Sequence, residues 1–345
     1  LDVRQRAEED PRGFLAAYTS GAILDEAQKA PNLFSYMQGV VDKTNRTGQF
    51  ILTGSQNFLL LEKVTQSLAG RVGFSKLLPL SFEELKQGNL LPQETGYEEL
   101  IFKGFYPRLY KDNQSGLSPR EYYLNYIKTY IERDVRQIQS INDLSSFQKF
   151  VGLCAGRTGQ LLNLAGLATD AGISPNTAKS WISILEASFV IFLLQPHHNN
   201  FNKRLIKSPK LYFFDTGLAC TLLGLQDWKN LETHYLRGAL FENLVVAEYF
   251  KYFYNRGEDT RLFFWRDKTG NEVDVIWDKG VTLKPIEIKS SKTLSSDFYS
   301  GLSYWNRLSA GRQSDSVLIY GGDKSYLNLN HGCDLGWKDM LKAFE

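Results

Sequence analysis

Two adjacent carboxylates, Asp25 and Glu26, end the short apolar run of "SGAILDEAQKAP" at residues 20–31. A buried strand ending in Asp-Glu directs one carboxylate at Mg2+ and the next at an attacking water, the arrangement by which nucleotide hydrolases transfer phosphoryl groups. The run "ILTGS" at 51–55 strengthens this reading. Ligands of open α/β sheets lie at the carboxyl ends of the strands, so Thr53 or Ser55, leaving the neighbouring strand, can sense a γ-phosphate. Arg71, in "SLAGRV", stands where a trans-acting arginine can reach the nucleotide of a second copy; a plain surface charge is the alternative. A Gly-Lys-Ser/Thr loop, whose N–H groups cradle phosphates, does not occur in the sequence, so the chain alone is expected to be inactive as an ATPase.

A second group lies near the other end. Glu242 follows Gly238 on a helix, Asp274 sits in "EVDV", and Glu287 and Lys289 sit in "IEIK". Strand alternation puts Glu287 and Lys289 on one face, with Asp274 approaching from the strand before. Carboxylates on adjacent strands offer hard oxygens to Mg2+ or Mn2+, and a lysine beside them can stabilise charge on a scissile phosphate. This is the layout of PD-(D/E)xK nucleases. Asp25, Asp274 and Glu287 are the expected metal ligands; a charged sheet face with a Glu-Lys pair is the bland alternative.

Between the two groups, residues 161–214 read as helix, Gly172 break, Ser174 cap, second helix through Trp181, and two strands around a basic loop. That is a winged-helix pattern. As a DNA reader it would place Lys179 in the major groove and Lys203, Arg204, Lys207 and Lys210 on phosphates. As a connector it would only join its neighbours.

The elements that must position these groups follow from periodicity. Residues 1–80 alternate short apolar runs with helical patterns, β, α, β, α, as in an α/β sheet. "EYYLNYIKTYIERDVRQI" at 121–138 reads as a long helix, and "RLFFWRD", "NEVDVIWDKG" and "LKPIEIKSS" read as three strands. With 23% charged residues and a net charge of +2, no whole-chain field points to nucleic acid or membrane, so any such signal must be local. Three scattered cysteines give no disulfide framework and no zinc spacing, which fits a reducing compartment. The most apolar stretch, "FVIFLL", is far shorter than a membrane span, and a cytoplasmic protein is expected.

Taken together, "ILDEAQKAP", "ILTGS", "LAGRV", "YIERDVRQI", "KSPKLYFFDTGL", "GALFENLVVAEYF", "GNEVDVIW" and "IEIKSS" make the chain resemble prokaryotic AAA-type ATPases. The family's C-terminal domain of unknown function combines a winged helix with a PD-(D/E)xK-like core. The resemblance covers almost the whole chain. It implies ATP and Mg2+ as cofactors, with Asp25 and Glu26 as the Mg2+ and water-activating pair, and a segment carrying the glycine-rich loop before Leu1. The expected fold class is α/β in parts: a truncated P-loop NTPase core at 1–95, a helical lid or connector at 96–145, a winged-helix segment at 146–228 and a nuclease-like domain at 229–345. Nucleotide state is expected to be coupled to the C-terminal half and its contact with DNA, with self-association through Arg71. A nonenzymatic DNA-binding regulator and a protein-interaction scaffold are the competing classes.

Overall fold

The computed structural model describes residues 2–44, 46–54, 68–111, 117–131, 143–197, 206–309, 315–328 and 332–345. These fall into two units, Leu1–Ser75 and Lys76–Glu345.

The first unit holds α1 (Asp2–Glu9), α2 (Pro11–Ala16), β1 (Ala22–Leu24), α3 (Asn32–Thr44) and β2 (Phe50–Leu52). Asp10 starts α2 by accepting the Gly13 N–H, and Pro11 fills the first position, where a missing N–H costs nothing. β1 and β2 pair in parallel, Ala22 opposite Phe50 and Leu24 opposite Leu52. Gly21 permits this approach: it has φ 108°, and a Cβ there would sit 2.3 Å from the Gln49 carbonyl oxygen. Phe14, Leu15, Leu33, Phe34 and Met37 form the core.

The second unit opens with α4 (Phe82–Gln87), α5 (Tyr97–Lys103), α6 (Pro119–Tyr126) and α7 (Leu144–Ala155). Ser81 and Ser118 begin α4 and α6 as capping boxes with Glu84 and Glu121. The long helix expected over 121–138 is α6 followed by a π-helical turn at Ile127–Ile131; 132–138 lie outside the described residues.

Next come α8 (Leu164–Ala171), α9 (Pro175–Ala187), β3 (Ile191–Leu194) and β4 (Lys210–Phe213). Gly172, at φ 75°, ends α8, and the Ser174 hydroxyl caps α9. β3 and β4 are antiparallel, with Leu194 opposite Lys210. On its other edge β4 meets residues 159–162, through Gly159 N–H to the Leu211 carbonyl at 2.8 Å and a bridge between Leu161 and Lys210.

Then follow α10 (Thr216–Leu222), α11 (Lys229–Glu232) and the long α12 (Arg237–Tyr254). A six-stranded sheet completes the unit: β5 (Leu262–Arg266), β6 (Glu272–Asp278), β7 (Leu283–Lys289), β8 (Ser316–Tyr320), β9 (Tyr326–Asn328) and β10 (Gly332–Gly336), with α13 (Ser300–Ser309) between β7 and β8. Spatial order is β5-β6-β7-β8-β10-β9. The first three strands are antiparallel, while β7, β8 and β10 run parallel. α12 is buried nearly all round, including Leu240, Phe241, Leu244 and Val245, as a core helix must be. One apolar cluster runs from Leu78 to Phe344, so the segments expected as connector, winged helix and nuclease-like domain share a single core. A second cluster, Trp265, Val273, Leu302 and Trp305, packs α13 on the sheet. Among the described residues no helix is long and apolar enough to cross a membrane.

Candidate functional site

Three strands each contribute two side chains spaced i, i+2, and alternation puts each pair on one face: Lys210 and Tyr212 from β4, Glu272 and Asp274 from β6, Glu287 and Lys289 from β7. β6 begins where β7 ends. Asp274 and Glu287 follow one step beyond the paired Val275 and Ile286, and Asp274 Oδ2 accepts the Ile288 N–H at 2.9 Å. Glu242 arrives from the first turns of α12. Its neighbour Asn243 clamps that helix to β4, taking the Phe213 N–H at 2.8 Å and giving its amide to the Phe213 carbonyl at 2.7 Å.

The expected convergence of Glu242, Asp274, Glu287 and Lys289 is present, with a further cation inside it. Lys210 Nζ lies 2.8 Å from Glu242 Oε1 and 3.8 Å from Asp274 Oδ1, and is also paired with Glu272. Tyr212 donates its hydroxyl to Glu242 Oε1 at 2.5 Å. Lys289 Nζ lies 2.5 Å from Glu287 Oε1 and 3.9 Å from Asp274 Oδ2, and Arg266 Nη1 lies 3.2 Å from Glu272 Oε2.

Burial sets the electrostatics. Lys210, Asp274 and Glu287 are only 3%, 7% and 6% exposed. Burial pushes the Glu287 carboxyl up to about 8, with the Asp274 charge adding and Lys289 opposing. Burial also raises Glu242, against the pull of Lys210. Burial works against the Lys210 charge, but Glu242, Tyr212, Asp274 and Glu272 outweigh it and raise its pKa. Four carboxylates thus face three cations, and burial favours the protonated form of Glu287 at neutral pH. Glu287 Oε2 is buried without a partner among the described residues, and a Cβ added at Gly301 would lie 3.2 Å from it.

A divalent ion fits this set poorly. It needs several oxygens turned inward on one point, and the point on which Glu242, Glu272 and Asp274 converge is already taken by the Lys210 ammonium. Among the described residues no three His, Cys, Asp or Glu side chains form a group able to hold a metal ion. Asp274 and Glu287, expected as metal ligands, lie beside Lys289, and the seat between Glu242, Glu272 and Asp274 holds Lys210. The same finding corrects the placement of Lys210 on DNA phosphates. β4 begins at Lys210 itself, so its side chain enters the core instead of the loop. Of the other basic residues, Lys179 on α9 and Lys207 are exposed, and Lys203 and Arg204 lie outside the described residues.

In the first unit Asp25 and Glu26 follow β1, and Thr53 follows β2. The Thr53 hydroxyl donates to Asp25 Oδ1, which also takes the Glu26 N–H at 3.0 Å. Thr53 N–H bonds the Leu24 carbonyl at 2.9 Å, and Ala27 N–H the Thr53 carbonyl at 3.0 Å, so the two strand ends are stitched together. Asp25 is exposed. Glu26 holds φ 53°, an uncommon left-handed conformation for this residue type, and pairs with Lys29 at 3.2 Å. Arg71 grips Asp42 of α3 with two bonds, Nε to Oδ1 at 2.5 Å and Nη2 to Oδ2 at 3.1 Å, so reaching a neighbour requires it to release Asp42. Ser55 lies outside the described residues.

Glu272 and Tyr212 were missed from sequence, although the signal was present: each stands two residues from a residue already singled out.

Comparison with known proteins gives matches to three family models. Residues 1–86 match the family model of an AAA domain, residues 94–229 that of a domain of unknown function (DUF8612) and residues 237–333 that of another (DUF4143). This combination is consistent with an AAA-type family carrying C-terminal domains of unknown function. Similar proteins include uncharacterized proteins of Mycobacterium tuberculosis and Mycobacterium bovis, each 28% identical over 288 residues. Each match covers 83% of this chain and 62% of the relative, so the chain spans less than two thirds of their length.

Proposed function

We propose that the whole protein is an AAA-type ATPase whose nucleotide state is passed to a C-terminal α/β half that binds without cutting. The observation that carries this reading is the exposed Asp25 at the end of β1, oriented by the Thr53 hydroxyl from the parallel β2. Asp25 would hold Mg2+, and bound Mg2+ would supply charge neutralisation at the phosphates. Glu26 would orient the water and Thr53 or Ser55 would sense the γ-phosphate. Calorimetry of the full-length protein with Mg-ATP tests it: binding is expected and is lost in Asp25→Ala, while undiminished binding in Asp25→Ala overturns it.

DNA is the partner we favour for the C-terminal half. Support comes from the helix pair α8–α9, the β3–β4 hairpin completed by residues 159–162, and the exposed Lys179 and Lys207. The PD-(D/E)xK-like reading of the sheet is kept as a fold, with its centre occupied by Lys210. Duplex binding followed over a salt series decides between regulator and scaffold. Reversing Lys179 and Lys207 to Glu is expected to weaken binding to all sequences and flatten its salt dependence. Unchanged affinity and slope favour the scaffold.

A further inference from the structure

We propose that Lys210 is the resident cation of the carboxylate centre, and that the centre accepts a divalent metal ion only when this lysine is removed. The inference rests on side-chain geometry alone and stands whether or not the protein binds ATP or DNA.

An ammonium has three hydrogens to donate and no acceptor. Lys210 directs them at oxygens from two different elements, Glu242 of α12 and Glu272 of β6, with Asp274 Oδ1 behind them at 3.8 Å. These are carboxylates from a helix and an adjacent strand, the kind of set that would otherwise surround a hard cation. The ammonium cannot simply swing aside. Lys210 is bridged to Leu194 on one side and Leu161 on the other, its side chain is 3% exposed, and its Nζ lies 5.6 Å from the Phe264 ring centre.

The arrangement does for structure what a metal would otherwise do. It joins the β3–β4 hairpin, α12 and the sheet at one point. Each carboxylate of the centre lies within 4 Å of a lysine or arginine nitrogen, which offsets the negative charge that would draw in a divalent ion. Lys210→Met keeps most of the stem packing but removes the charge, leaving Glu242, Glu272 and Asp274 facing one another. Carboxylates forced together in this way either take up protons or take up a cation.

The test is Mn2+ titration of the chain, followed by the electron paramagnetic resonance of free Mn2+, for wild type, Lys210→Met and Lys210→Met/Asp274→Asn. Any weak binding at Asp25 is common to all three and cancels. Lys210→Met is expected to take up one more Mn2+ per chain than wild type, at least about tenfold more tightly, and the double variant to lose it. Mn2+ should also raise the melting temperature of Lys210→Met and leave that of wild type unchanged. Equal uptake by wild type and folded Lys210→Met overturns the proposal. If Lys210→Met folds only with Mn2+, the proposal is supported. If it folds in neither condition, wild type decides: a Mn2+ site abolished by Asp274→Asn overturns the proposal, and its absence supports it.

Discussion

Replacing Glu287 with Gln is expected to stabilise the second unit at high pH and to weaken it slightly at low pH. The Glu287 carboxyl is 6% exposed, and burial raises its pKa from 4.5 to about 8. Between those values the folded chain keeps a proton that the unfolded chain releases, so wild-type stability falls as pH rises. The slope is at most about 1.4 kcal/mol per pH step, which gives an upper bound of about 4 kcal/mol between pH 5 and pH 8. Gln removes this titration and keeps an oxygen for Lys289. Its amide lies beside Gly301 with no acceptor in place, a cost of about 1 kcal/mol. The expected net effect is a gain of about 2 kcal/mol at pH 8 and a loss of about 1 kcal/mol at pH 5. Urea unfolding by tryptophan fluorescence reads this unit alone, because Trp181, Trp228, Trp265, Trp277, Trp305 and Trp337 all lie in it. A difference between Glu287→Gln and wild type that stays constant from pH 5 to pH 8 would refute the reasoning.

Other expectations follow from the same structure. Lys251 and Glu248 form a fully buried pair at 2.8 Å, with Lys251 Nζ on the Leu80 carbonyl and Glu248 Oε2 on the Phe82 N–H. Lys251→Met should cost about 3–5 kcal/mol by urea midpoint, and adding Glu248→Leu should recover only part, since Leu80 and Phe82 then lack partners. Asp267 accepts hydrogen bonds from Thr269 and Asn271 in the β5–β6 turn and from Tyr304 on α13; burial works to raise its carboxyl, but these bonds outweigh it and hold the carboxyl down at about 2. Its contribution is present above its unfolded value of 3.8 and is lost as pH falls through 2, so Asp267→Ala should cost about 2 kcal/mol at pH 7 and much less near pH 2. Glu26→Gly should leave stability unchanged or raise it by up to about 1 kcal/mol, because φ 53° suits glycine, while removing the proposed water-orienting carboxylate. Thermal melting checks the first half, and a clear loss of stability would contradict it.

The carboxylate centre is half legible in the sequence. Alternation within "IEIK" and "EVDV" is local, so the pattern of residue types is enough to place Glu287, Lys289 and Asp274 together. It is not enough for Lys210. The burial of that side chain depends on β4 lying between β3 and residues 159–162, a non-local pairing, whereas the run around it, "NKRLIKSPK", has the composition of a solvated loop. The apolar "LYFF" immediately after Lys210 is the available clue that a strand has already begun. In the first unit the parallel pairing of β1 with β2 can be read from two apolar runs separated by a helix. The Arg71–Asp42 pair cannot, because it joins α3 to a turn 29 residues on.

The central claim is that chemistry belongs to the carboxylates after β1 while the larger cluster in the second unit holds structure. The ATP hydrolysis rate of the full-length protein, measured for wild type, Asp25→Ala and Glu287→Gln, tests it most directly. Asp25→Ala is expected to lose roughly a hundredfold or more, as loss of a Mg2+-holding carboxylate should, and Glu287→Gln to keep the wild-type rate. A rate unaffected by Asp25→Ala, or abolished by Glu287→Gln in a protein that remains folded, would contradict the account.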